Sequence, residues 1–211
     1  IAEGGRVGGT CVNYGCTPTK TLVASARAAH MARRGADFGV NISACTIDFA
    51  KVMQRQNKIR NGNSKGLQEW LAGMDGVDLY KGYAEFEGEH QVRIGDEVVT
   101  GESIVLNVGT SPVTLPIPGL AEVPWLDNAR LLDLEELPEH LVVVGGSYIG
   151  MEFAQAFRRF GSEVTIIEAM PQLMSREDAD IAESATKILA DEGIAIVLGA
   201  KGQQVAQKGE K

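Results

Sequence analysis

Cysteine and histidine are scarce in this sequence, with three of each among 211 residues. Only Cys11 and Cys16 lie close together. Cys45, His30, His90 and His140 form no second pair at metal-ligand spacing, which argues against a zinc site of the paired-ligand kind. Basic residues are also short: 20 Lys and Arg against 28 Asp and Glu give a net charge of −8 and a pI near 5.0. That balance argues against nucleic acid or an anionic membrane as a partner. No apolar run approaches the ~20 residues of a membrane-spanning helix, and no secretory signal opens the chain. Three cysteines without such a signal imply a reducing compartment, the cytoplasm by default, where a disulfide is more often catalytic than structural. What the sequence does have is glycine, 25 residues clustered at turns and loops rather than in a low-complexity tract.

Residues Gly8 to Lys20, GGTCVNYGCTPTK, carry the most information. On a regular helix, residues five apart are separated by roughly 7.5 Å along the axis, beyond the roughly 7 Å Cα limit for a disulfide. Cys11 and Cys16 can bond only across distorted backbone, such as a helix entered through a Gly-rich turn with Pro18 in its first turn. A pair presented at a helix N-terminus is expected to have lowered thiol pKa values, the profile of a redox dithiol. Two inert cysteines would satisfy the same spacing, but they need neither the flanking glycines nor Lys20.

This stretch resembles the active-site signature of the flavoprotein disulfide reductases, the pyridine nucleotide-disulfide oxidoreductases. Its GCTPTKTLVASA continuation is most similar to the mercuric-reductase-like and dihydrolipoamide-dehydrogenase-like branch. The resemblance extends through nearly the whole chain. It implies that electrons pass from NADH, through FAD, to a Cys11–Cys16 disulfide. Cys16 would be the thiolate nearer the flavin and Cys11 the thiol that exchanges with substrate. It also implies a small-molecule acceptor, either a disulfide or a metal ion of the mercuric type, and a homodimer formed through a C-terminal interface domain.

The opening Ile1-Ala2-Glu3 reads as the end of a strand, with Glu3 where a dinucleotide fold places the carboxylate that holds ribose hydroxyls. The Gly-rich phosphate loop that belongs before it is absent, so the sequence reads as an internal fragment. Thr19 to Arg34 is predicted helical, with Leu22, Val23, Ala26, Ala29 and His30 on one face. One or two helices are expected from Asp48 to Leu71, with Phe49, Val52, Met53, Ile59, Leu67, Trp70 and Leu71 as core positions. Short segments at Tyr83–Phe86, Val92–Ile94, Val98–Thr100 and Ile104–Val108, split by Gly88, Gly95-Asp96 and Gly101, predict an antiparallel meander. The run IVLNV is expected to be a buried strand ended by Gly109, with Pro112, Pro116 and Pro118 forcing an extended exit. The resemblance brings backbone at Gly109 close to the flavin nucleotide, and adds Gly9, Thr10, Tyr83 and Ala84 to the cofactor contacts. Asn107-Val108 departs from the Ala-Thr pair usual in the family.

Leu141 to Glu168 is the most complete unit. LVVVG predicts a buried parallel strand, GGSYIG a phosphate loop, Ile149 to Phe160 a helix, and Val164 to Glu168 a second strand. The loop residues Gly145, Gly146, Ser147, Tyr148, Ile149 and Gly150 are the candidate pyrophosphate contacts. Ser147 stands where G-x-G-x-x-G has its middle glycine, so a displaced or hydroxyl-assisted phosphate contact is expected. Glu168, 18 positions after Gly150, would accept from a ribose diol and repel a 2′-phosphate. No Lys or Arg lies between Ala169 and Ser175, which favours NADH over NADPH. The resemblance makes Tyr148 an aromatic gate over the flavin, and pairs Lys20 with Glu152 beside its reactive edge. Glu152, in the apolar run IGMEFAQAF, needs a partner on physical grounds alone. A helix from about Ala179 to Glu192, a strand at Ile194 to Leu198 and a polar strand or hairpin over GAKGQQVAQKGEK complete the reading.

The expected fold is therefore α/β, with two Rossmann-like domains and an antiparallel meander, both domains incomplete. Residues 1–122 would be a partial FAD-binding domain and 123–211 a partial NAD(P)-binding domain. The catalytic candidates are Cys11, Cys16, Lys20 and Glu152, with no resident metal. The parent would be an NAD(P)H:disulfide oxidoreductase and the isolated fragment inactive. Dihydrolipoamide dehydrogenase and a non-catalytic nucleotide-binding fragment stand as alternatives.

Overall fold

The computed structural model describes residues 1–207, which fold as mixed α/β with both parallel and antiparallel sheets. The chain divides into two compact units that interleave in sequence: Ile1–Pro18 with Asn57–Pro112, and Thr19–Gln56 with the chain from Val113 onward.

In the first unit β1 (Ala2–Glu3) is followed by α1 (Gly9–Asn13) and the opening of α2 (Cys16–Arg33). The later part of α3 (Phe49–Ala72) leads to β2 (Tyr80–Lys81), which pairs with β1 in parallel and sets Glu3 opposite Lys81. A three-stranded antiparallel meander follows, made of β3 (Ala84–Gly88), β4 (Gln91–Ile94) and β5 (Glu97–Thr100). Gly95 (φ 60°) opens the two-residue turn between β4 and β5, a position that favours a residue without a Cβ. The expected fourth strand is not formed. Residues 104–108 lie outside any strand, and Val105 and Val108 are almost fully exposed. An apolar run becomes a strand only when it pairs with a neighbour, and the short β1–β2 ladder takes up no third strand.

The second unit holds the larger core. α4 (Asn128–Leu131) is capped by the Asp127 carboxylate, which accepts from the Arg130 N–H at 2.8 Å. β6 (His140–Val144), β7 (Glu163–Ile167) and β8 (Ala195–Val197) form a parallel sheet in that order, with α5 (Tyr148–Phe160) and α6 (Ala179–Asp191) as the connecting helices. The apolar positions of α5 recur at helical spacing, so Phe153, Ala154, Ala156, Phe157 and Phe160 are all buried on one face. Gly161 (φ 126°) ends the helix. The rings of Phe49, Phe157 and Phe160 meet edge-on or tilted with centroids 5.9–6.1 Å apart, against Leu22 and Met53.

α2 begins at Cys16, three residues before the predicted start, because Pro18 fits a helix's first turn, where no N–H partner is needed. Leu22, Ala26 and Ala29 are buried along it as the pattern requires. β6 departs from expectation: Leu141 and Val143 pack on the core, while Val142 and Val144 are half exposed, so the sheet is covered on one face only. Trp70, expected in the core, is exposed near the end of α3. Residues 199–207 form no strand or hairpin, and the remainder of that predicted segment lies outside the described residues. Among the described residues no helix is long and apolar enough to cross a membrane.

A half-buried ionic cluster links α5 to the end of α6. Arg159 grips Glu192 through Nε and Nη2 at 2.7 and 2.6 Å, and Gln155 donates to the same carboxylate at 2.8 Å. Burial alone would raise the Glu192 carboxyl. The Arg159 hydrogen bonds and charge, helped by His30 and Gln155, hold it below the usual value. Burial, then the Arg159 charge, pushes His30 below the ordinary imidazole value.

Candidate active site

The cysteine turn is built from a break between two helices. Gly8 (φ 110°) and Gly9 (φ 57°) swing the chain into α1, a helix of five residues with no side-chain N-cap. Tyr14 and Gly15 interrupt it, and α2 then starts at Cys16. The interruption brings Cys16 close enough to Cys11 to perturb its thiol. Both thiols are free and exposed. The expected lowering of thiol pKa is not found at Cys11. The Cys16 side-chain hydrogen bond, with slight burial and the Cys16 charge adding to it, raises this thiol above its ordinary value. A five-residue helix has little dipole to oppose that.

Asn13, which the sequence reading passed over, holds this turn. It is fully buried, and its Nδ2 donates to the carbonyls of Arg6, Val7 and Gly9 at 3.1, 3.1 and 3.0 Å. Its Oδ1 is buried without a partner. Ser64 Oγ donates to the same Val7 carbonyl at 2.7 Å. The only sequence signal was an amide placed between two cysteines beside a glycine pair.

Glu3 sits at the end of β1 and accepts from the Gly5 N–H at 2.8 Å. Gly4 lies so close to the Tyr83 ring that a Cβ would come within 2.7 Å of Cδ1. Tyr83 is largely exposed and Ala84 opens β3. The carboxylate, the close-packed glycine turn and the exposed ring suit the ribose and base of a dinucleotide. Gly9 and Thr10, at the start of α1, are exposed, and Gly109 (φ 70°) has open space on its Cβ side.

In the second unit Lys20 of α2 and Glu152 of α5 form an ion pair. Both remain solvent-accessible, so the pair contributes at most about 1 kcal/mol to stability. Glu152 is thus less buried than its apolar run suggested.

The loop from Gly145 to Gly150 connects β6 to α5. A Cβ at Gly150 would collide with the Gly145 carbonyl oxygen, and 3.1 Å from Val143 Cγ1 it would also crowd the strand. Gly146 is buried against Leu173 and Glu168. The residue is held on both sides: its N–H donates to Glu168 Oε2 at 2.6 Å, and its carbonyl accepts from the Met174 N–H at 2.9 Å. Glu168 Oε1 takes the Met170 N–H at 2.8 Å. Met174 pays for its bond with a left-handed backbone (φ 47°), rare for a residue with a Cβ. Ser147 is the N-cap of α5 but makes no side-chain capping bond, so its hydroxyl is available to a ligand. Tyr148 and Ile149 are exposed at the helix start. Each carboxylate oxygen of Glu168 keeps an accepting lone pair after its backbone bond. Among the described residues no cluster of three metal-ligating side chains occurs.

A parallel strand, a glycine loop opening a helix, and an acid ending the next strand are the marks of a Rossmann-like nucleotide-binding fold. The sequence profile described as pyridine nucleotide-disulphide oxidoreductase matches residues 2–211, and the chain belongs to that family. It is 36% identical over 210 residues to a mercuric reductase of Bacillus cereus, matching 100% of this chain and 33% of that protein. RclA of Escherichia coli K12 is 40% identical over 204 residues, with 94% and 42% covered. The solved Cu(II) complex of the HOCl-induced flavoprotein disulfide reductase RclA superposes with a TM-score of 0.84 at 38% identity, over 98% of this chain and 44% of that one. The chain therefore spans a third to under half of the length of these relatives.

Proposed function

We propose that the parent protein is an NAD(P)H-dependent flavoprotein whose Cys11–Cys16 pair reduces a small-molecule acceptor. The observation that carries this is the helix break that sets two exposed cysteines close enough for one to perturb the other's thiol. For a disulfide acceptor, the Cys11 thiolate attacks one substrate sulfur, a mixed disulfide forms, and the first substrate sulfur leaves as a thiolate, which takes up the proton removed from Cys11. The Cys16 thiolate then attacks Cys11 Sγ, the second substrate thiol leaves, and the Cys11–Cys16 disulfide closes. Cys11 is held as a thiol by Cys16, so the first step needs a base. By the family resemblance that base would come from an interface domain of a dimer partner.

FAD, when bound, relays two electrons from the nicotinamide nucleotide to the pair. Glu3, Gly9, Thr10, Tyr83, Ala84 and Gly109 would hold it, with residues 1–122 as its domain. Residues 123–211 would hold the nicotinamide nucleotide: Gly145, Gly146, Ser147, Ile149 and Gly150 at the pyrophosphate, Glu168 at the ribose, and Tyr148 covering the ring pocket. By the family resemblance Lys20, paired with Glu152, would be the cation that offsets negative charge on a reduced ring. The Gly146 N–H bond that turns Glu168 toward the loop supports NADH over NADPH. Metal ions are a second acceptor class, supported by likeness to a mercuric reductase and to a protein solved as a Cu(II) complex. A homodimer in the cytoplasm, where the exposed thiols stay reduced, completes the proposal.

The test is an anaerobic reaction of the full-length protein with NADH, followed by alkylation and peptide mapping. NADH should expose two additional thiols, at Cys11 and Cys16. The same alkylation pattern with and without NADH would refute the dithiol assignment.

A further inference from the structure

α1 is too short to position itself. It has five residues, no side-chain cap, and a single buried member, Asn13. Yet Cys11 rides on this helix, so whatever fixes α1 fixes the approach of Cys11 to Cys16. One amide carries two N–H hydrogens, and Asn13 spreads them over three carbonyls, two in the loop before Gly8 and one in the first turn of α1. Ser64, on α3, holds the middle carbonyl from another side. A loop with φ values of 110° and 57° at adjacent glycines has many alternative conformations, and these four hydrogen bonds select one.

We infer that Asn13 is the positioning residue of the redox pair: its amide, seconded by Ser64, clamps the Arg6–Gly9 carbonyls and so holds the Cys11 thiol against Cys16. The inference rests on the dithiol reading above. Its consequence is chemical. Closing the disulfide with glutathione disulfide forms one Sγ–Sγ bond, breaks another, oxidises two protein thiols and releases two glutathione thiols. The equilibrium constant of that exchange measures the effective concentration of one thiol toward the other. A loosened α1 lowers it.

The experiment equilibrates full-length protein in mixtures of reduced and oxidised glutathione, traps by acid and alkylation, and reads the Cys11–Cys16 state by peptide mass. Asn13→Leu, which keeps the volume and removes both the donor and the orphaned acceptor, should lower the constant about tenfold, or about 30 mV for a two-electron couple. Ser64→Ala removes one of the two donors to Val7 and should shift it the same way, about threefold. An Asn13→Leu protein that is folded by circular dichroism and has the wild-type constant would overturn the inference alone. Should Asn13→Leu not fold, Ser64→Ala decides: a threefold fall supports the clamp and an unchanged constant overturns it. A wild-type protein that never closes the disulfide would overturn the dithiol reading and this inference with it.

Discussion

Substituting alanine at Gly150 tests whether the 145–150 loop is a nucleotide site, because the obstruction there is backbone. The new methyl would meet the Gly145 carbonyl oxygen closer than real Cβ contacts allow, with Val143 Cγ1 at 3.1 Å behind it. Neither can swing away as a surface side chain could, so α5 must lift from β6 and the loop must shift with it. Overpacking of this kind costs about 1–3 kcal/mol, partly offset by up to about 1 kcal/mol from replacing glycine inside a helix. The effect on binding is larger. A displaced loop loses charge-assisted backbone hydrogen bonds to the pyrophosphate, each contributing about 1.5–3 kcal/mol. Losing two removes about 3–6 kcal/mol, which weakens NADH by more than about a hundredfold at 1.4 kcal/mol per factor of ten. Gly62→Ala is the control. That glycine lies mid-helix on α3 with nothing within 4 Å of its Cβ, so the same change there should stabilise by up to about 1 kcal/mol. NADH titration calorimetry and urea unfolding on full-length protein measure both. Gly150→Ala binding NADH within threefold of wild type would refute the placement of the pyrophosphate at this loop.

Two further outcomes are expected. In reduced protein, the pH profile of Cys11 alkylation should have its midpoint above the ordinary thiol value, because the Cys16 hydrogen bond favours the protonated form, and reactivity therefore rises only at higher pH. Cys16→Ala should move that midpoint down, and coincident profiles would show that Cys16 does not govern Cys11. Glu168→Ala should weaken NADH about tenfold or more by removing a carboxylate acceptor, and should move the NADPH-to-NADH affinity ratio toward NADPH; an unaltered ratio, measured by competition titration, would mean the acid does not face the ribose.

The units whose order is local were legible in the sequence. The β4–β5 hairpin was readable because Gly95-Asp96 separates two short β-rich segments, and β6–α5–β7 because the apolar period changes around a glycine loop. Residues 104–108 were misread because composition reports that a run can be buried, not that a neighbouring strand exists to bury it. Asn13 was missed because its role depends on where Gly8 and Gly9 turn three carbonyls, a matter of backbone direction that residue types do not encode. Met174 was missed for a similar reason: nothing about methionine foretells a left-handed backbone. The Cys11 titration was read with the wrong sign, since the spacing suggested a helix dipole, whereas the folded chain supplies only one short turn and a neighbouring thiol.

The two-sided grip on Gly146 bears on how nucleotide preference could drift in this lineage. In the proposed reading Glu168 would select among ligands, and it also fastens the loop, with Met174 holding the carbonyl of the same residue. Replacing the acid to admit a phosphorylated ribose would slacken the loop for every nucleotide. A variant with switched preference would have to pass through a poor binder of both, unless a substitute acceptor for the Gly146 N–H arose first. Engineers and evolution face the same order of events here: secure the loop by other means, then change the letter at position 168.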